Sequence, residues 1–135
     1  KPQNEEGILE QWLVHDKKSN KSYLYPEQVK DSKIANLEYK IIGRSDKYYF
    51  WMIKLNTGRH HQIRAQLAHI GCPVKGDVKY GDKRSNPDKS IHLMSWKLKF
   101  HEPIHPKVLE VTAKFPEDAL WNYLHENISL EWKAK

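Results

Sequence analysis

Polar and apolar residues alternate most regularly in two neighbouring stretches of the chain. In residues 35–41, Ala35, Leu37, Tyr39 and Ile41 alternate with Asn36, Glu38 and Lys40, the period-two pattern of a half-buried strand. In residues 48–55, Tyr49, Trp51, Ile53 and Leu55 fall on one face and Tyr48, Phe50 and Met52 on the other. Both faces are apolar, which predicts a central strand covered on both sides. Gly43-Arg44-Ser45-Asp46 is the turn between the two. Shorter strands are predicted at 8–14 and 22–25, joined by the turn-prone DKKSNK and stopped by Pro26. Residues 1–7 read as an entry loop.

The period then changes. Over residues 59–70, Ile63, Leu67 and Ile70 recur at helical spacing, and Gly71 is a natural stop. The opposite face presents Arg64 and either His60 or His61. A loop rich in turn residues follows, CPVKGDVKYGDKRSNPD, and then a strand pair at 91–101 and 108–115 joined by HEPIHP. Pro116-Glu117-Asp118 opens a last helix, with Ala119, Leu120, Tyr123 and Leu124 as its buried stripe. The sum is an α+β fold: a mixed, mostly antiparallel sheet with flanking helices.

At 135 residues, with 39% hydrophobic residues and an aromatic set of five Trp, seven Tyr and three Phe, the chain suits one domain with a core and does not suit a disordered tail. No apolar run approaches the ~18 residues of a membrane helix, and no signal peptide is visible. The single cysteine, Cys72, excludes an internal disulfide or a Cys-cluster zinc site; it reads as a small apolar filler. A cytoplasmic setting follows most simply. The first residue is Lys1 rather than Met, as expected for a piece of a longer chain.

Charge adds a direction. Residues 54–84 carry seven basic and two acidic residues, while the rest carries sixteen and fifteen. Nearly all of the net charge of +6 therefore lies in one stretch, together with His60, His61 and His69. Concentrated positive charge attracts a polyanion, most commonly nucleic acid. The histidines do not suggest metal. His61 and His69 are too far apart for adjacent ligands on one helix face, and Pro103 excludes a helix between His101 and His105. Asp77 and Asp82 each follow a glycine and read as turn residues bonding local backbone. Trp51 and Trp96 sit on alternating strands and read as core.

Within the basic stretch, Thr57-Gly58-Arg59, His61-Gln62-Ile63-Arg64, Gly71-Cys72-Pro73-Val74, Gly76-Asp77 and Tyr80-Gly81 occur in a fixed order. This set resembles the conserved-motif region of the RluA-type pseudouridine synthases. EEGILEQWL near the start and FPEDA near the end are similar to the family's flanking segments. Gln66 and Met94-Ser95 depart from it, standing where many members have His and His-Ala. The resemblance implies the C-terminal half of a pseudouridine synthase catalytic domain over residues 1–127, with 128–135 as a tail. It implies isomerisation of uridine to pseudouridine in ribosomal or transfer RNA, with no metal and no redox cofactor. The family's nucleophilic Asp, in a His-Arg-Leu-Asp segment, and its active-site Tyr are not among these residues. Arg64 matches the family Arg that pairs with that Asp. A guanidinium stays charged and grips a carboxylate by two hydrogen bonds, and an opposite charge within ~4–6 Å lowers a carboxylate pKa by ~1–3 units. The candidates for RNA contact are Arg59, His61, Gln62, Lys75, Lys79, Lys83 and Arg84, and Gln62 has backbone bonding as its alternative. The isolated chain is expected to be inactive. A non-catalytic RNA-binding module is the competing reading. The central strand at 48–55 is expected to lack a neighbour in such a half, and an unpaired apolar edge favours self-association.

Overall fold

The structure is a computed structural model that describes residues 1–128. The chain forms two compact units, residues 1–92 and residues 93 onward. From residue 129 the expected tail lies outside the described residues.

The first unit is a four-stranded antiparallel sheet carrying one helix. Its strands are β1 (Glu6–Asp16), β2 (Lys21–Tyr25), β3 (Lys33–Arg44) and β4 (Tyr49–Leu55), in the spatial order β2-β1-β3-β4. The alternation in β3 is real: Ala35 and Leu37 are fully buried and Tyr39 nearly so. Leu9 of β1 lies directly opposite Leu37, and Leu13 is buried four pairs further along. Strands β1 and β3 run two or three residues beyond their predicted limits, because backbone pairing continues past the apolar residues, while β2 and β4 lie within one residue of theirs. A register shift between Ile41 and Gly43 skips Ile42.

Among the described residues, β4 is an edge strand and not central: it pairs with β3 alone and lacks a second neighbour, as expected for such a half. Its two apolar faces are covered only in part: Phe50 on one is buried, while Leu55 on the other is 49% exposed. The aromatic content of β4 is met instead by contacts such as Trp51 against Tyr39, with ring centroids 4.8 Å apart.

Helix α1 (Gln62–His69) begins three residues later than predicted. Its buried residues are Gln62, Ala65, Gln66 and Leu67. The predicted stripe of Ile63, Leu67 and Ile70 is therefore rotated, with Ile63 and Ile70 only half-buried. The cause is hydrogen bonding by two glutamines into the sheet. Gln66, completely buried, donates to the Ala35 carbonyl (3.0 Å) and to Gln11 Oε1 (2.7 Å). Its own carbonyl oxygen is buried without a hydrogen-bond partner among the described residues.

The second unit holds a hairpin of β5 (Lys97–His101) and β6 (Val108–Thr112), then α2 (Ala119–Asn127). The hairpin is shorter than predicted and every ladder residue is exposed. Leu98, Phe100, Leu109 and Val111 share one face by register, yet range from 38% to 58% exposed. Trp96 stacks on Phe115 and Phe115 on Trp121, with centroids 6.1 and 5.7 Å apart. Asp118 precedes α2 instead of lying within it, and its carboxylate accepts from the Trp121 N–H at 2.8 Å as a helix cap. Of the predicted stripe on α2 only Leu124 is buried.

Leu37 is enclosed on the innermost strand pair, so Leu37→Ala is expected to cost about 2–5 kcal/mol. Urea unfolding should show the midpoint fall with an unchanged slope.

Candidate functional site: an arginine–carboxylate pair on the first helix

The turn after β4 is lashed to β3. Gln62 Oε1 accepts from the Thr57 hydroxyl (2.7 Å) and the Arg59 N–H (3.0 Å), and Gln62 Nε2 donates to the Asn36 carbonyl (3.1 Å). The Asn36 N–H donates to Thr57 Oγ1 at 2.9 Å, and Arg59 Nε donates to the Ile34 carbonyl at 2.9 Å. The side chain of Gln62 is thus buried on backbone and on Thr57, and Arg59 has one guanidinium N–H committed to β3.

This lashing fixes the start of α1. His61, the residue before it, has φ 51° and ψ 27°, a left-handed conformation that costs a β-carbon-bearing residue of order 1–3 kcal/mol. The imidazole lies between two partners: Nε2 is 3.0 Å from Arg64 Nη1, and Nδ1 is 2.7 Å from the Tyr80 hydroxyl. A guanidinium only donates, so Nε2 accepts and is unprotonated. Nδ1 therefore carries the proton and donates to Tyr80 Oη. The same oxygen accepts from the Ser22 N–H of β2 at 2.9 Å.

Arg64, one turn into α1, meets Asp77 from the following loop. Arg64 Nε donates to Asp77 Oδ2 and Nη2 to Oδ1, both at 2.8 Å, a two-pronged pair. The Asp77 side chain is 1% exposed and that of Arg64 is 20% exposed. The Tyr80 ring lies under the guanidinium, 4.9 Å from Cζ to centroid. Hydrogen bonding to Asp77 raises the Arg64 pKa above its ordinary value. His61 moves the other way, to about 4: burial is the first cause, followed by the charges of Arg64, His60 and Lys79, with Asp77 opposing. His60, stacked on His15 with centroids 3.6 Å apart, is lowered by burial first and then by His15, Lys79 and Arg64.

The loop that delivers Asp77 is closed on itself. Asp82 Oδ2 accepts from the Gly76 N–H at 2.6 Å, and the Asp82 N–H donates to the Asp77 carbonyl at 3.0 Å. Gly76 has φ +88°, and a β-carbon there would come within 2.6 Å of Asn86 Nδ2 and 2.8 Å of the Ser90 carbonyl. A single 3-10 turn, Val78–Tyr80, then brings Tyr80 under Arg64. Asp82 is a turn residue as predicted. Asp77 is not: its carboxylate belongs to Arg64, thirteen residues upstream.

Of the sequence candidates, Arg64 and His61 are brought together, joined by Asp77 and Tyr80, to which the sequence reading assigned no such role. Lys75 bonds Asn86 and lies 5.5 Å from the Tyr48 ring centroid. Lys79, Lys83 and Arg84 are exposed on the loop. Ser22 was missed, and no local pattern could place an edge-strand serine beside a histidine 38 residues away. Among the described residues no group of three or more His, Cys, Asp and Glu could hold a metal ion, and no helix is long and apolar enough to cross a membrane.

This fold has known counterparts. A model of the RNA pseudouridylate synthase family matches residues 1–69, and the chain belongs to that family. Among its relatives, the uncharacterized RNA pseudouridine synthase YlyB of Bacillus subtilis is 30% identical over 115 residues, covering 85% of this chain and 37% of the relative. Ribosomal large subunit pseudouridine synthase D of Pseudomonas aeruginosa is 33% identical over 102 residues, covering 66% of this chain and 32% of the relative. The chain thus spans about a third of the length of these curated relatives. Human RNA Pseudouridylate Synthase Domain Containing 1 shares the fold, with a TM-score of 0.68 at 20% identity over 84% of this chain and 50% of that one.

The depressed pKa of His61 makes a pH prediction. Its ordinary value is 6.5 and its folded value about 4, so the unfolded chain binds a proton first as pH falls. Stability is unaffected by His61 above 6.5, is lost progressively from 6.5 down to about 4, and loses no more below that. The imidazole resonances should titrate near 4, and His61→Gln should flatten the fall in Tm over this window.

Proposed function

We propose that this chain is part of an RNA pseudouridine synthase that isomerises uridine to pseudouridine, and that Arg64 holds the nucleophilic carboxylate. The observation that carries the reading is the Arg64–Asp77 pair, formed by segments that resemble the family's motifs. Isomerisation breaks the bond from ribose to uracil N1 and makes a new one to C5. In this reading an Asp outside these residues begins that exchange, and Arg64 orients it. Asp77 and His61 use three of the five guanidinium N–H bonds. The two others, one on each Nη, are the handles for a second carboxylate. Asp77 is the fixed support that sets their direction, and Tyr80 and His61 limit rotation of the guanidinium plane.

The substrate in this reading is ribosomal or transfer RNA in the cytoplasm. Lys79, Lys83 and Arg84 take phosphates, with Lys75 and His61 nearer the site. Arg59 and Gln62 hold the frame on which Arg64 stands, so their contribution to RNA contact is smaller. The 135 residues alone are inactive in this reading, because the nucleophile lies elsewhere.

Removing Arg64 would leave the buried Asp77 carboxylate unpaired, so the variant Arg64→Ala needs a companion. In the full-length protein, Arg64→Ala/Asp77→Asn should stay folded, keep RNA affinity within a few-fold, and lose pseudouridine formation by about 10²-fold or more, the scale for losing a preorganised electrostatic partner. Tritium release from C5-labelled uridine RNA measures it. A near-normal rate in the double variant would remove Arg64 from the chemistry. Multiple turnovers by the 135 residues alone would remove the need for an outside nucleophile.

A further inference from the structure

Tyr80 has a second neighbour besides Arg64. A cleft of about 310 Å³ lies along the outer edge of β2, walled by Tyr23 and Tyr25, by Ala65 and His69 of α1, and by Tyr80. That volume is at the lower end of what small-ligand sites use, ~300–1,000 Å³. Ser22 turns its N–H outward from the sheet to Tyr80. In an antiparallel ladder outward-facing backbone groups recur at every second residue, so Leu24 presents its N–H and carbonyl at the same edge. A paired main-chain donor and acceptor complements the amide edge of a nucleobase. Tyr23 and Tyr25 are 42% and 39% exposed and offer ring faces for stacking. Lys21 lies 5.7 Å from the Tyr23 ring centroid and 5.4 Å from that of Tyr80. Lys17 and Lys18, in the β1–β2 turn, and Lys79 are exposed. The positive surface thus extends beyond residues 54–84, onto a hairpin the sequence reading gave no role.

We propose that the β2-edge cleft is an RNA-base site: it stacks and reads a nucleotide flanking the one at Arg64, while Lys17, Lys18 and Lys21 hold the adjoining phosphates. The proposal rests on the synthase reading, since Tyr80 is the wall shared by the cleft and the Arg64 pair. The rest of the argument is charge: a base with its phosphates fits an edge flanked by lysines better than an apolar strand does.

The test uses the full-length protein with unmodified transcripts of large-subunit ribosomal RNA and total transfer RNA. Irradiation at the nucleobase absorption band, followed by peptide mass spectrometry, should place a nucleotide adduct within residues 21–25. Lys17→Ala/Lys18→Ala/Lys21→Ala should weaken filter binding and make its log–log salt slope shallower by roughly 2, the value for three phosphate contacts on a single strand. Tyr23→Ala/Tyr25→Ala should weaken binding on the order of ten-fold, with KM raised and kcat retained. Wild-type pseudouridine formation with unchanged binding in both variants and no adduct in 21–25 would overturn the cleft and leave the synthase reading standing. A second copy of the chain cross-linked through 21–25 would also overturn it. Wild-type protein that neither binds nor modifies RNA would overturn both.

Discussion

Asp77 is a carboxylate with 1% of its side chain exposed, and a buried charge is tolerated only when another charge answers it. Arg64 answers it with two hydrogen bonds of 2.8 Å. Everything else in the site depends on that pair. It ties α1 to the loop that follows, and through that loop it fixes where Tyr80 lies. Removing one member of such a pair typically costs about 3–5 kcal/mol, because the other is left charged and dry. An arginine in this setting is structural first, and its proposed chemical role can be separated from that only when the aspartate is neutralised with it.

The pair also accounts for the unusual residue beside it. A histidine at φ 51° carries backbone strain, and burial next to a guanidinium pushes its pKa to about 4. Both penalties persist because the neutral ring links Arg64 to Tyr80, and Tyr80 to the edge of β2. A protonated imidazole would have no acceptor to offer Arg64 and would set two cations against each other. Neutral His61 is thus a spacer with one acceptor and one donor, matched to a neighbour that only donates and a hydroxyl that accepts.

How far this was legible in the sequence depends on whether local pattern or distant packing decides each element. β3 was legible because its burial is set by alternation that its own residues carry. β4 reads as central from its two apolar faces and is an edge strand among the described residues; edge or centre is decided by which partners are present, which a strand's own residues do not encode. The face of α1 was misread for a related reason. Gln62 and Gln66 turn inward because strand carbonyls wait for their amides, and a rule that seeks apolar residues passes over them. Asp77 followed a glycine and looked like a turn. Only the three-dimensional approach of the loop to α1 shows that its carboxylate leaves the backbone and takes Arg64. The motif order, by contrast, singled out Arg64 and His61 without any geometry, and the fold brings those two side chains together.

The pairing changes what Arg64 can contribute to an incoming carboxylate. A lone arginine at ~4–6 Å would depress a carboxylate pKa by ~1–3 units through its net charge. Arg64 with Asp77 is a neutral couple, so a second carboxylate meets a dipole whose field falls off faster with distance. The field is weak and the geometry is strong. Two N–H groups held in a plane by Asp77, His61 and the Tyr80 ring offer fixed hydrogen-bond directions at little reorganisation cost, which is the form of stabilisation that preorganised sites use. In the proposed reaction the arginine would thus serve by aiming the nucleophile rather than by ionising it, and a carboxylate already ionised at neutral pH needs no more than that.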